Sequence, residues 1–171
     1  SSYVRMDINT LVQKTSGQLR NLRIKRFASG QMTPNMLRGY LDTLEQMENF
    51  IPDLVIVDYL GLMKARAEFR RLDVGYNMTE LRAIGQERNM AMVTAMQGNR
   101  ESLSVDIIKE DQMAEDWSIV GTADTIVTVT STDTEWEYGL ARLWIPKSRG
   151  DKDRFGVLIT QALEAGQFVT S

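Results

Sequence analysis

An unbroken apolar run, LVIV at residues 54–57, stands directly before Asp58 and constrains the fold more than any other segment. Apolar, mostly β-branched runs of this length are typical of strands that are covered on both faces, as in parallel sheets. Successive parallel strands are joined by right-handed crossovers that place helices against the sheet. The run therefore predicts a layered α/β fold.

The neighbouring segments alternate between helical and strand patterns. Thr33 and Pro34 predict a helix start, because Thr caps free N–H groups and Pro suits the first helical position. Apolar residues then recur at helical spacing as far as Met47, and Pro52 follows the helix. The other predicted elements are an edge strand at 22–25, a helix at 74–88, strands at 90–96 and 125–130, and an amphipathic stretch at 113–120.

The C-terminal part follows a different pattern. Strand-like runs at 140–145 and 155–160 are joined by a polar stretch at 146–154, which predicts an antiparallel hairpin on the sheet edge. We find no internal repeat, low-complexity tract or linker in the 171 residues. The sequence thus predicts one domain over 1–171, with a mostly parallel sheet, flanking helices and a terminal hairpin.

Composition excludes several kinds of chemistry. The chain has no Cys and no His, so it cannot contain a disulfide, a thiolate zinc site, a histidine base or a Cys/His nucleophile. No stretch approaches the roughly 20 apolar residues of a membrane helix, and the first residues are too charged for a signal peptide. We therefore predict an intracellular protein that does not contact membranes.

Two predicted strands end in polar side chains that suit a nucleotide site. Asp58 follows the first strand and Gln97 follows the next one, at the sheet edge where open α/β folds bind ligands. An acid there can hold hydrated Mg²⁺ beside phosphates, and an amide can contact a terminal phosphate or the attacking water. The residues alone also allow a strand that simply ends in a turn and an amide that caps a loop.

Two groups of basic residues could bind anions. Lys147 and Arg149 alternate around Ser148, so both side chains should point to one side and could hold one phosphate; a flexible basic hairpin is the alternative. The second group shares the stretch between the first strand and the second helix, where a solvated loop is the alternative. Its members are Lys64, Arg66, Arg70 and Arg71.

Four segments together resemble the ATPase domain of DnaB-type replicative helicases, within the RecA/KaiC-like superfamily and including the phage versions. They are PDLVIVDYLGLM at 52–63, ELRAIGQERNMAMVTAMQGNRE at 80–101, GTADTIVTVT at 121–130 and LWIPKSRG at 143–150. The resemblance runs from about Leu22 to Thr160. The order and spacing of the segments are more specific than any one of them.

The resemblance implies ATP and Mg²⁺ as cofactors. By it, Asp58 corresponds to the Walker B acid that holds Mg²⁺ through water, and Gln97 to the γ-phosphate sensor. Lys147 and Arg149 correspond to the pair that reaches the nucleotide of a neighbouring subunit. A RecA-like fold is expected, with the phosphate-loop portion absent.

The same resemblance implies a partner for the basic residues. Segments after the Walker B and sensor strands line the channel of a ring and touch single-stranded DNA in this family. The corresponding residues here are Lys64, Arg66, Arg70, Arg71 and Arg100. A hexameric homo-oligomer is expected, with a primase or a helicase loader as further partners, in the cytoplasm of a bacterial or phage-infected cell.

One family motif is missing from the sequence. A phosphate-binding loop needs a Gly-Lys pair, and no Gly in this chain is followed by Lys. In the family that loop and a catalytic glutamate precede the residues that match Leu22. We therefore expect 1–171 to be an N-terminally truncated RecA-like ATPase domain that hydrolyses little ATP alone.

Three functions fit these features. The leading one is part of an ATP-driven replicative helicase that translocates on single-stranded DNA. The second is a recombinase-like or KaiC-like oligomeric ATPase without unwinding activity, and the third is an inactive RecA-like module that binds nucleic acid.

Overall fold

A computed structural model describes residues 21–97 and 121–170. The amphipathic stretch predicted at 113–120 and Arg100 lie outside these ranges. The described helices and strands are α1 (Pro34–Glu48), β1 (Leu54–Val57), α2 (Arg70–Glu87), β2 (Ala91–Thr94), β3 (Thr125–Thr130), α3 (Asp133–Glu137), β4 (Leu140–Ser148), β5 (Phe155–Ala162) and β6 (Gln167–Thr170). In these ranges no helix is long and apolar enough to cross a membrane.

Helix α1 begins as its sequence predicts. The Thr33 hydroxyl accepts a hydrogen bond from the Met36 N–H at 3.2 Å, and Pro34 occupies the first turn. The helix ends at Glu48, where Asn49 takes a left-handed conformation with φ 49°, so the chain leaves the helix before it reaches Pro52. Leu37, Leu41 and Leu44 form the buried face of the helix.

Helix α2 connects β1 to β2 and packs against the same core. It begins at Arg70, four residues before the predicted start at 74, because short 3₁₀ turns at Leu60–Leu62 and Ala67–Phe69 lead into it. Its buried apolar residues meet those of α1 and β1. The apolar core consists of Leu37, Leu41, Leu44, Val57, Leu60, Met63, Leu81, Ile84 and Met90.

Strands β1 and β2 pair in parallel, with Leu54 opposite Ala91 and Val57 opposite Thr94. Parallel pairing was predicted and is confirmed, whereas burial on both faces is wrong for the described part of the chain. Leu54 is 48% exposed and Ile56 is 66% exposed. Side chains alternate along a strand, so Val57 faces the core of α1 and α2 while Leu54 and Ile56 lie on the opposite face.

The second sheet is antiparallel and contains β3, β4, β5 and β6 in that order. The predicted hairpin is confirmed as β4 and β5, although β4 continues through Ser148 into the stretch that had been assigned to the loop. Strand β6 was not predicted. Helices, a parallel pair and this sheet confirm an α/β fold, with more antiparallel pairing than the sequence indicated.

The edge strand predicted at 22–25 is wrong. Residues 22–27 pair with no strand in the described part of the chain. Arg23 instead donates a hydrogen bond to Glu48 at 2.6 Å, and its guanidinium lies 4.4 Å from the centre of the Phe50 ring. Contacts with the end of α1 therefore hold this segment in place of ladder hydrogen bonds.

Gly85 lies where α2 packs tightly against Met90 and β2, and it allows a stability test. A Cβ at Gly85 would lie 2.7 Å from Met92 Cγ and 2.9 Å from the Met90 carbonyl oxygen. The carbonyl belongs to the backbone and cannot move aside, so we expect Gly85→Ala to lower the free energy of unfolding by about 1–3 kcal/mol.

Gly39 in α1 supplies the matched control, because nothing lies within 4 Å of its added Cβ. Gly39→Ala should raise the free energy of unfolding by up to about 1 kcal/mol, since Ala is the better helix former. Urea denaturation of both variants measures the difference. Equal changes in the two variants would show that the contact with β2 is not tight.

Candidate functional site

Asp58 and Gln97 lie at one edge of the parallel pair. Asp58 directly follows β1, Gln97 lies three residues beyond the end of β2, and both are exposed. Hydrogen bonds tie the two strand ends together: the Thr94 hydroxyl donates to the Val57 carbonyl at 2.9 Å, and the Leu60 N–H donates to the Ala95 carbonyl at 3.2 Å. The prediction that both residues lie at the same sheet edge is confirmed.

The chemistry of this edge fits Mg²⁺ that is shared with a phosphate. In residues 21–97 and 121–170 no group of three or more His, Cys, Asp or Glu side chains could hold a metal ion. The Asp58 carboxylate is exposed and takes part in none of the ion pairs between described residues. One available acid suffices, because Mg²⁺ keeps several waters and takes its other ligands from phosphates.

Lys147 and Arg149 converge at the end of β4. The Lys147 ammonium donates to the Gly121 carbonyl at 3.2 Å, and Arg149 Nη2 donates to the same oxygen at 2.8 Å. The prediction that the two cations point to one side is confirmed. Arg149 contacts the segment that precedes β3, whereas Asp58 and Gln97 belong to the parallel pair.

Asp124 is an acidic residue that contacts these cations and that the sequence analysis did not identify. Its carboxylate accepts hydrogen bonds from Arg82 Nη2 at 2.9 Å, from Arg82 Nε at 3.2 Å and from Arg149 Nη1 at 3.1 Å. These contacts hold the pKa of Asp124 below its ordinary value, chiefly through the hydrogen bonds from Arg82. The end of β4 meets the start of β3 through antiparallel pairing of these two strands, which the sequence analysis did not predict.

The basic residues from Lys64 to Arg71, which span the connection after β1 and the first turn of α2, separate into two groups. Arg66 is held by Asp73 through side-chain bonds of 2.8 and 3.0 Å and lies 4.7 Å from the Phe69 ring centre. Hydrogen bonds from Arg66 lower the pKa of Asp73 to about 2, so the pair stays charged at neutral pH. Arg70 donates to the Gly61 carbonyl at 3.1 Å. Both arginines thus help to fix the local structure.

Lys64 and Arg71 form the other group, in which the side chains are exposed and take part in no ion pair of the described residues. The backbone of Lys64 is fixed on both sides. Its N–H donates to the Met32 carbonyl at 2.8 Å, and its carbonyl accepts from the buried amide of Asn77 at 3.0 Å. A rigid backbone therefore presents Lys64 to solvent.

Comparison with solved structures identifies the class of fold. One similar structure is an ATPase domain with a TM-score of 0.69 and 20% identity, covering 82% of this chain and 52% of its own. Another, a DnaB-like replicative helicase solved to examine its interactions with primase, has a TM-score of 0.71 and 18% identity, covering 92% of this chain and 43% of its own. The fold is that of a helicase ATPase domain.

Sequence comparison gives a particular relative. The chain is 29% identical over 120 residues to the DnaB-like replicative helicase of Enterobacteria phage T4, covering 67% of this chain and 25% of that protein. No family model matches the sequence. The resemblance to DnaB-type replicative helicases is thus confirmed, and this chain spans about a quarter of the T4 protein and about half of each solved chain.

Proposed function

We propose that this chain forms part of the motor domain of a replicative DNA helicase that hydrolyses ATP with Mg²⁺ and moves along single-stranded DNA. The observation that carries the proposal is the edge of the parallel pair, where Asp58 and Gln97 follow adjacent strands in a helicase ATPase fold. Similarity to the T4 DnaB-like helicase supports it.

In this proposal Asp58 and Gln97 serve the nucleotide bound by their own subunit. Asp58 would hold Mg²⁺ through water, and the ion neutralises charge on the β- and γ-phosphates when it is bound. Gln97 is a neutral donor and acceptor that can contact the γ-phosphate or orient the attacking water. Such contacts matter because catalysis of phosphoryl transfer depends almost entirely on positioning and charge stabilisation.

Lys147 and Arg149 would serve the nucleotide of the neighbouring subunit in a hexameric ring. Their shared direction supports this role, because both donate to one carbonyl oxygen and could exchange it for phosphate oxygens. An arginine that reaches a neighbouring site stabilises the charge of the transition state. Primase is a candidate partner, since one similar structure concerns a DnaB-like helicase and primase.

Other residues of the full-length protein would supply the phosphate-binding loop, because no Gly in these 171 residues precedes a Lys. Backbone N–H groups and a Lys of such a loop normally cradle the phosphates. The chain alone should therefore bind ATP weakly.

Strand displacement by the full-length protein tests the proposal. A forked DNA substrate should be unwound with ATP and left intact with a non-hydrolysable analogue. ATP hydrolysis without displacement on any substrate polarity would favour the second candidate, a recombinase-like or KaiC-like ATPase. An Asp58→Asn protein provides the inactive control.

We also propose that Lys64 and Arg71 contact DNA phosphates, whereas Arg66 does not. The distinction rests on their partners, because Arg66 is bound by Asp73 and the other two side chains are exposed. Each phosphate contact to a single strand contributes about 0.7 to the slope of log K against log salt. Replacing both Lys64 and Arg71 by Gln should lower that slope by about 1.4.

Arg66→Gln is the control, because it removes one positive charge from the same segment and should leave the slope unchanged, whereas each of the other two substitutions should lower it by about 0.7. Fluorescence anisotropy with labelled oligothymidine at several salt concentrations measures both. An unchanged slope in the double variant would mean that Lys64 and Arg71 are merely solvated and do not contact DNA.

A further inference from the structure

The Asp124 carboxylate joins two parts of the molecule that are far apart in sequence. Arg82, on α2, reaches it with two nitrogens, and Arg149, beyond the end of β4, reaches it with one. The Arg149 N–H also donates to the Asp124 carbonyl at 2.8 Å. Both the backbone and the side chain of Arg149 are thus held by this one residue.

Arg82 links this contact to the core. It lies between Leu81 and Ile84 in α2, which are 2% and 0% exposed, so its backbone is immobilised by packing. Helix α2 connects the two strands whose ends carry Asp58 and Gln97. Through Asp124 and Arg82, Arg149 is therefore linked to α2, the helix that connects the strands followed by Asp58 and Gln97.

The Arg149 guanidinium remains able to bind an anion. An arginine has five N–H donors, and in the described part of the chain two nitrogens of this one are engaged, with Asp124 and Gly121. Its side chain is 49% exposed. Among the described residues of this group, Arg82, Lys147 and Arg149 outnumber the Asp124 carboxylate, so a phosphate would still be attracted.

We propose that Asp124 is a positioning residue that holds Arg149 in the orientation needed to reach the phosphate of a neighbouring subunit. The inference rests on the proposed function of Arg149. Hydrogen bonds from Asp124 limit the rotamers of a long, exposed side chain, and small displacements of a group that acts on the transition state are costly in rate. Asp124 itself touches no substrate.

A double-mutant cycle on the full-length protein tests this inference. Asp124→Ala should lower the kcat for DNA-stimulated ATP hydrolysis about fivefold, the equivalent of one well-formed exposed ion pair, and leave KM for ATP unchanged. Asp124→Asn, which keeps one acceptor oxygen, should show a smaller loss. In an Arg149→Ala background, Asp124→Ala should have no further effect on kcat.

Asp42→Ala is the matched control, since Asp42 forms an Arg–Asp pair with Arg88 away from this group, and its kcat should not change. Equal losses from Asp124→Ala in both backgrounds would mean a merely structural role and would overturn the inference. The inference would also be overturned if Arg149→Ala lowered kcat and Asp124→Ala left kcat unchanged. Full activity of Arg149→Ala would instead overturn the proposed function of Arg149.

Discussion

Asp58→Asn in the full-length protein is expected to lower the kcat for ATP hydrolysis by about 10³-fold, the largest effect of any single substitution in its own site. Metal stabilisation of transition-state charge is worth several kcal/mol, and each 1.36 kcal/mol is a factor of ten in rate. Asparagine keeps the size of the side chain and loses the charge that attracts Mg²⁺. Because Asp58 is exposed and lies outside the core, the thermal unfolding midpoint should stay within about 2 °C of the parent.

Asp53→Asn provides the control, because Asp53 stands at the opposite end of the same strand. It is exposed and uses its backbone carbonyl to accept a hydrogen bond from the Ala91 N–H at 2.8 Å, a bond that the substitution preserves. Its ATPase rate should remain within about twofold of the parent. An Asp58→Asn protein that keeps more than a tenth of the activity would contradict the metal-binding role.

The features that sequence predicted well depend on local physics. Residues 54–57 are apolar and mostly β-branched and form β1, and Thr33 and Pro34 begin α1 as their capping chemistry requires. The placement of Asp58 and Gln97 at one edge followed once the strands were parallel, because parallel strands share a carboxyl edge. No long-range information was needed for these predictions.

The features that sequence missed depend on partners far apart in the chain. Arg82 and Asp124 are 42 positions apart, and nothing in either segment specifies the other. The predicted edge strand at 22–25 failed for a similar reason, since alternation describes a strand's faces but not the presence of a neighbour to pair with.

The division of the basic residues also required the structure. By composition Arg66 and Arg71 are equivalent, and only the position of Asp73 one helical turn into α2 distinguishes them. Asn77 is 3% exposed and donates to the Lys64 carbonyl. The sequence does not predict this contact, because a polar residue in a helix usually faces solvent. In the described part of the chain the proposed DNA contacts therefore narrow to Lys64 and Arg71, and Arg100 stays a prediction.

Arg149→Ala should lower ATP hydrolysis by the full-length protein about 10³-fold, the lower end of the range for arginines supplied to a phosphoryl-transfer site by a neighbouring subunit. The loss should fall on kcat, because the group acts on charge that develops in the transition state. Nucleotide affinity should change little. A higher KM with an unchanged kcat would mean that Arg149 binds the nucleotide before the reaction and does not act on the transition state.

Mixing Arg149→Ala subunits with Asp58→Ala subunits distinguishes action in trans from action in cis. In a ring, an interface is complete when a subunit that retains Asp58 meets a neighbour that retains Arg149. Random assembly of equal amounts of the two variants gives about one complete interface in four. ATP hydrolysis should recover toward about a quarter of the parent rate, since two inactive proteins together rebuild whole sites.

The matched control for rescue replaces the Asp58→Ala partner by the double variant Asp58→Ala/Arg149→Ala. Rings of Arg149→Ala and the double variant contain no Arg149 in any subunit, so they should stay inactive at every ratio. Subunit exchange is verified by energy transfer between labelled subunits in both mixtures. If exchange occurs and the first mixture is as inactive as the second, Arg149 acts within its own subunit, and the pair at the end of β4 cannot complete a neighbour's site.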